Sequence, residues 1–348
     1  MDGKPALPES VHATGANHAW ALPWQRGARR RGWRGWRAHL AAYSLIAPAL
    51  LLLTIYVFVP VGYTLYISFQ DVHLGGGVPY NASTGAAPTG SGAPGYVNPH
   101  AGNTSTFFGL HNWVQLAGDP DFHGALVNTA IMVGGATLLG TVGALLAALL
   151  VSVRLPFMGV FRTLYFFPAA VSQVVTGLVF LWLFDENTGL VNHLLGIVGI
   201  GPILWQDNAG PLLTVLTLAA AWLTASYNLP IFAAAIQNVP RAQQEAAAID
   251  GAGALRTLWH ITLPALRPAT WFVVVSSIVA VAQMLGLYDA LANTVKETST
   301  LIKYMFARAF YYNDVDYAGA IGCVMIVALT VLALLGLRTG DRGEQQGA

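Results

Sequence analysis

Six long apolar runs divide this chain: Ala41 to Phe69, Ala125 to Val153, Leu164 to Phe184, Leu212 to Ile236, Trp271 to Leu287 and Ala318 to Leu337. Crossing the ~30 Å hydrocarbon core takes about 20 mostly apolar residues, since each helical residue advances only about 1.5 Å. Each run is therefore predicted as a transmembrane helix, and the fold class is an all-α polytopic membrane protein with six transmembrane helices. The first run is too long for a secretory signal and lacks a small-residue cleavage pattern, so it reads as a retained anchor. The divisions that follow are a basic tail (1–40), a first span (41–69), a connecting loop (70–124), a five-helix core (125–337) and a second tail (338–348).

Composition agrees with that class. Hydrophobic residues make up 55% of the chain and charged ones 9%, against roughly 25% charged in soluble domains. Positive residues beside spans are retained on the cytoplasmic side. With the N-terminus inside, all of the 17 Lys and Arg residues except Lys296, Lys303 and Arg308 fall on the cytoplasmic side. Both termini are thereby placed in the cytoplasm. The run from Trp24 to Arg37 interleaves Trp with Arg directly before the first span, which suits the lipid headgroup region rather than a nucleic acid.

Between Gly75 and Thr106 the loop is rich in Gly, Ala, Pro, Ser and Asn and too poor in apolar residues to pack, so it is expected to be flexible. Asn81 and Asn103 open glycosylation-type triplets that fall there by chance. Leu190 to Ile203 is apolar but interrupted by glycines, and reads as a helix lying along the membrane surface.

The segment 237–268 is the polar cytoplasmic link between the fourth and fifth spans. Pro240 suits the start of a helix, because its missing N–H would be unpaired there. Arg241 to Asp250 continue as helix formers, with Ala246, Ala247 and Ala248 keeping the surface narrow. Gly251 is suited to the left-handed conformation that ends a helix, and Gly253 to a tight turn into a second short helix ending at Pro264. This helix, elbow, helix unit could enter a groove on a partner, with Glu245 and Asp250 as orienting charges. From residue chemistry alone, an amphipathic connector lying on the membrane fits as well.

The run Glu245-Ala-Ala, Asp250-Gly-Ala, Ile261-Thr-Leu-Pro264 and Arg267-Pro268 resembles the EAA loop of inner-membrane permeases of ABC importers, most similar to the carbohydrate-uptake branch. Phe108 to Leu116, Phe161-Arg-Thr-Leu-Tyr-Phe-Phe-Pro168 and Gln237-Asn-Val-Pro240 extend the likeness from about Ala41 to Leu337. The resemblance implies a permease core whose loop docks on a cytoplasmic ATPase dimer. Glu245 would pair with a basic ATPase residue, Ala246 and Ala247 would pack in its cleft, and Asp250, Gly251, Ala252 and Gly253 would form the elbow. It also implies an extracytoplasmic substrate-binding protein and a small-molecule substrate, a sugar, in a prokaryotic inner membrane. Two departures stand out: Tyr288 to Lys296 replaces the Gly-Gly-Pro run common after the fifth span, and the Gly-rich first loop is long. The C-terminus lacks a Gly-Ala-Val-Lys-Gly ending, which resembles the first-type subunit and implies a second, paralogous permease.

No cofactor is expected in this chain. A phosphate-binding loop needs Lys before Ser or Thr in a Gly-rich turn, and Lys4, Lys296 and Lys303 are the only lysines. ATP and Mg would be bound by the partner ATPase. The histidines show no paired ligand spacing, the lone cysteine is Cys323, and no catalytic constellation stands out. Membrane-buried ionisable groups usually carry ion coupling, and the middles of the spans hold none. Gln173, Asn228 and Gln283 could hydrogen-bond a sugar while Trp222 and Tyr227 stack on it. Polar bonding between helices accounts for the same residues. The alternatives are an ABC importer of another small solute, such as a glycerol phosphate or polyamine, and a secondary transporter or channel needing no ATPase.

Overall fold

The computed structural model describes residues 34–73, 104–152, 158–291 and 298–345. The run from Trp24 to residue 33, residues 75–103 with Asn81 and Asn103, Arg154 and Lys296 lie outside the described residues. Contacts divide the chain into two units, Met1–Pro60 and Val61–Ala348.

The first unit carries α1 (Arg34–Leu53) and a π-helical turn (Thr54–Phe58), and α2 (Val59–Ile67) continues the chain into the second unit. In the second unit, β1 (Gln70–His73) pairs antiparallel with β2 (Thr104–Phe107), Gln70 opposite Phe107 and His73 opposite Thr104. The expected flexible stretch reached Thr106, so its last residues are instead ordered in a ladder. A pairing across some 30 intervening residues leaves no local periodicity in the sequence that would announce it.

Short α3 (His111–Gly118) leads into α4 (Pro120–Ser152), the longest described helix of the second unit. Then come α5 (Met158–Ala170), α6 (Gln173–Leu183), α7 (Leu190–Ile197) and α8 (Ala209–Gln237). The elbow region contains α9 (Arg241–Ile249), α10 (Ala254–Thr257), a π-helical turn (Leu258–Thr262) and α11 (Leu263–Ala265). The chain finishes with α12 (Arg267–Ala282), α13 (Leu285–Leu291), α14 (Leu301–Phe310) and α15 (Val315–Gln345).

Among the described residues, four helices are long and apolar enough to cross a membrane: Tyr43–Ile67, Pro120–Ser152, Ala209–Gln237 and Val315–Gly336. Counting each of two sharply bent pairs as one span gives six. The third predicted span is one of these pairs, with Thr163–Ala170 and Gln173–Leu183 meeting at 113°. Pro168 removes a backbone donor at this point. Ser172 then opens α6, its hydroxyl accepting from the N–H of Val175 at 3.3 Å. The other pair, Ala254–Ala265 and Arg267–Ala282, bends by 62° ahead of the fifth predicted span. That span, predicted to reach Leu287, also breaks at Gln283 between α12 and α13. Pro168 marks the first of these bends in the sequence, whereas hydropathy stays high across Gln283 and leaves no such mark there.

The core is built on α4 and α8. A Cβ at Gly135 would meet Thr217 and one at Gly140 would meet Thr224, so the two helices run in parallel. Met132 and Ala136 of α4 pack there with Leu212, Leu216, Ala219 and Leu223 of α8 and with Val281, Leu287 and Tyr288. A second cluster joins Leu116, Phe122 and Ala125 to Tyr304, Tyr317 and Ile321. Because α8 leads directly into α9, the elbow lies at one end of this body and the start of α4, with Asp119, at the other.

Candidate coupling elbow and translocation site

The elbow is closed by backbone geometry alone. At the end of α9 the N–H of Ala252 reaches the carbonyl of Ala247 at 2.9 Å, and that of Gly251 reaches Ala248 at 3.1 Å. This nested pair of bonds satisfies carbonyls that a helix terminus leaves open. Gly251 adopts φ +74°, a left-handed conformation that costs glycine nothing and side-chain-bearing residues more. Gly253 then opens α10, whose Thr257 N–H returns to its carbonyl at 3.0 Å.

The elbow presents its side chains outward. Glu245, Ala246 and Asp250 are exposed, Ala247 and Ala252 are half-buried, and Gly251 and Gly253 are exposed. Ile249 is 86% exposed, Leu255 70% and Trp259 63%. Three large apolar side chains offered to solvent on one short connector form a surface suited to a protein partner.

The five candidate pathway residues fall in two groups. Gln173 and Gln283 are exposed and sit at the two helix breaks. These breaks converge: a Cβ at Gly286, at the start of α13, would lie 3.6 Å from the Gln173 side chain and 3.3 Å from Val174. One turn further on, a Cβ at Gly177 would overlap that of Ala290 at 2.4 Å. Only glycine lets α6 and α13 approach this closely. Non-helical backbone at membrane depth survives where it is buried in protein or lines a water-filled cavity. The Gln283 amide donates back to the carbonyl of Val279 at 3.2 Å.

The other three lie on α8. Asn228 is buried and donates to the hydroxyl of Ser277 on α12 at 2.8 Å. Trp222 is half-buried against Phe180, with ring centroids 5.7 Å apart. Tyr227 is exposed. The structure thus unites Gln173 with the start of α13, and gives Asn228 a partner within the helical body.

At the end opposite the elbow is a charged cluster that the sequence did not reveal. Asp119 accepts hydrogen bonds from the hydroxyls of Tyr304 and Tyr317, and Arg308 pairs with Asp314 at 3.3 Å. Lys303 forms an ion pair with Asp289. These residues are scattered over some 200 positions, and no spacing links them.

Residues 125–340, more than half of the chain, match the family described as binding-protein-dependent transport system inner membrane component. The chain belongs to that family. It is 30% identical over 332 residues to the arabinooligosaccharides transport system permease protein AraP of Bacillus subtilis (strain 168), covering 93% of this chain and 97% of that one. It is 28% identical over 309 residues to the sn-glycerol-3-phosphate transport system permease protein UgpA of Yersinia pestis bv. Antiqua (strain Antiqua), covering 86% and 94%. A crystal structure of a bacterial ABC transporter involved in the import of the acidic polysaccharide alginate contains a chain of the same fold. Its TM-score is 0.68 at 18% identity, over 90% of this chain and 99% of that one. The permease is therefore an inner-membrane component of a binding-protein-dependent transport system, as the loop resemblance implied. Its matched region contains the elbow and both converging breaks.

Proposed function

We propose that this permease is the membrane subunit of an ATP-driven importer for an uncharged sugar, and that residues 237–268 couple it to a separate cytoplasmic ATPase. The exposed elbow around Gly251 carries the coupling role. A short helix locked by its terminal hydrogen bonds transmits a push without deforming, and Ile249, Leu255 and Trp259 give a partner an apolar grip. Glu245 pairs with a basic residue of the ATPase, Ala246 and Ala247 enter its cleft, and Asp250 to Gly253 form the bend. In this reading both termini are cytoplasmic, and ATP and Mg are held by the ATPase dimer. A second, paralogous permease completes the path, and an extracytoplasmic binding protein delivers the solute.

The names of the relatives suggest an oligosaccharide or glycerol phosphate as solute. An anion would require a cation to meet it. Among the described residues on the side opposite the elbow, Lys303 and Arg308 are already matched by Asp289 and by Asp119 and Asp314. That favours an uncharged sugar bound by amides and aromatic faces, with Gln173 and Gln283 at the converging breaks and Trp222, Tyr227 and Asn228 along α8.

Reconstitution with its ATPase, second permease and binding protein in lipid vesicles tests the reading. Labelled neutral oligosaccharide should enter only with ATP, and glycerol phosphate should not compete. Glu245→Lys and Gly251→Pro should insert normally and lose uptake. Unchanged uptake by both variants would refute the coupling role, and transport without any ATPase would refute the importer.

A further inference from the structure

The charged cluster opposite the elbow holds more acid than one cation can neutralise. It forms where α14 turns into α15. The N–H groups of Tyr311 and Tyr312 both return to the carbonyl of Ala307, at 2.9 and 3.1 Å, and that of Asp314 returns to Arg308 at 2.8 Å. Asn313 makes the turn with φ +56°, a left-handed conformation uncommon outside glycine. The turn leaves Asp314 just before α15 and Asp316 in its first turn, where the two carboxyls interact.

Arg308 approaches this pair from α14. Its guanidinium lies 3.3 Å from Asp314 and 3.7 Å from Asp119, and donates to the Tyr304 hydroxyl at 2.7 Å. It also stacks over Tyr304, Tyr312 and Tyr317, at 5.2, 5.6 and 4.9 Å from the ring centres. Asp316 is buried and met by the amide of Asn112 at 3.3 Å, which also donates to the carbonyls of Ser68 and Gln70. Other titratable groups on the surrounding elements are Asp71 on β1, His111 on α3, Lys303 on α14, and Asp121 and His123 on α4. The His123 ring contacts the Asp119 carbonyl at 2.7 Å, and Lys303 is engaged by Asp289. One guanidinium thus serves Asp119 and Asp314, while Asp316 is met by a neutral amide.

We propose that this cluster is an acid-tightened clasp: a proton shared between Asp314 and Asp316 draws the α14–α15 turn closed against the start of α4. Without that proton the two carboxylates repel. With it, one donates to the other, and Arg308 remains free to hold Asp119.

The charge states agree with the geometry. Burial first, and then the neighbouring charge of Asp316, pushes Asp314 up to about 6 from its usual 3.8. Burial also pushes Asp119 upward, but the hydroxyls of Tyr304 and Tyr317 together with the backbone N–H groups of Asp121 and Phe122 outweigh it and leave that carboxyl lowered. A carboxyl raised in the folded state takes up its proton on folding at intermediate pH. Stability from this site therefore rises as pH falls through about 6 toward the usual 3.8.

Thermal unfolding of the full chain in lipid discs between pH 7.5 and 5.0 tests the clasp. Asp314→Asn mimics the protonated carboxyl, so it should melt above the wild type at pH 7.5 by a gap that narrows steadily toward pH 5.0. His123, His111 and the other titrating groups act in both proteins, so the gap between them isolates Asp314. Asp316→Asn removes the repelling charge and should move the wild-type transition to lower pH. Hydrogen exchange across residues 304–318, corrected for intrinsic rates, should slow at pH 5.0 in the wild type and be flat with pH in Asp314→Asn. A gap that does not change with pH, or exchange that slows equally in both, overturns the proposal. If Asp314→Asn fails to fold, an Asp316→Asn transition unmoved from that of the wild type overturns it equally.

Discussion

Asn228 donates a 2.8 Å hydrogen bond to Ser277, tying α8 to α12 between two buried side chains. Such bonds between membrane helices contribute about 0.6 kcal/mol on average, because the separated helices find other partners in lipid. Asn228→Leu and Ser277→Ala should therefore each lower stability in lipid discs by about that amount. Uptake distinguishes packing from solute contact. Asn228→Leu should also raise KM, while Ser277→Ala, which removes only the bond, leaves KM near normal. Equal KM values for the two variants would confine Asn228 to packing.

The elbow predicts a graded series at one position. Gly251 sits at φ +74° with open space where a Cβ would project, so substitution there strains only the backbone. Asn tolerates the left-handed region and β-branched residues do not. Gly251→Asn should retain most ATP-driven uptake, and Gly251→Val should lose most of it while the folded body stays intact. The cost of Val is about 1–2 kcal/mol, enough to unwind the end of α9 without touching the spans. Uptake and ATPase copurification, measured side by side, check the order.

How far the sequence could be read follows from which forces are local. Four of the apolar runs coincide to within a few residues with long helices, since Tyr43–Ile67, α4, α8 and α15 are continuous. Gly251 was assigned its conformation because a helix end needs a left-handed residue and glycine follows the last helix former. Pro168 marks a bend between α5 and α6, but its size was hidden, because apolar residues flank Ser172 on both sides and a proline alone does not say how far the chain will turn. The strand pairing of Gln70–His73 with Thr104–Phe107 and the meeting of Arg308 with Asp119 were hidden for a different reason. Both depend on tertiary approach between distant segments, and nothing in either segment records its partner.

Close approach at the second break gives a steric prediction. A Cβ at Gly177 would fall 2.4 Å from that of Ala290 and 3.2 Å from the carbonyl of Leu287, while one at Gly134 meets nothing within 4 Å. Gly177→Ala should cost about 1–3 kcal/mol through overpacking, and Gly134→Ala should be close to neutral. Because Gly177 lies one turn beyond Gln173, the damage should also displace the converging breaks. Loss of uptake in Gly177→Ala with none in Gly134→Ala, each variant inserted equally, would tie transport to that junction.

Arg308 supplies the last prediction, because it forms ion pairs with both Asp119 and Asp314. Arg308→Met keeps the length of the side chain but leaves two partly buried carboxylates without their cation. Removing one partner from such a set costs about 1–3 kcal/mol in uncompensated desolvation. Arg308→Lys keeps the charge and loses the planar fork that reaches Tyr304, Asp119 and Asp314 together, so it should fall between the wild type and Met. Asp119 keeps the two tyrosine donors in every variant, whereas Asp314 depends on Arg308 for its counter-charge. Adding Asp314→Asn to Arg308→Met should therefore restore part of the lost melting temperature, whereas adding Asp119→Asn should restore less. Equal recovery from the two second-site changes would show that Arg308 does not distinguish the carboxylates, because the difference between the couplings of the two double-mutant cycles would vanish.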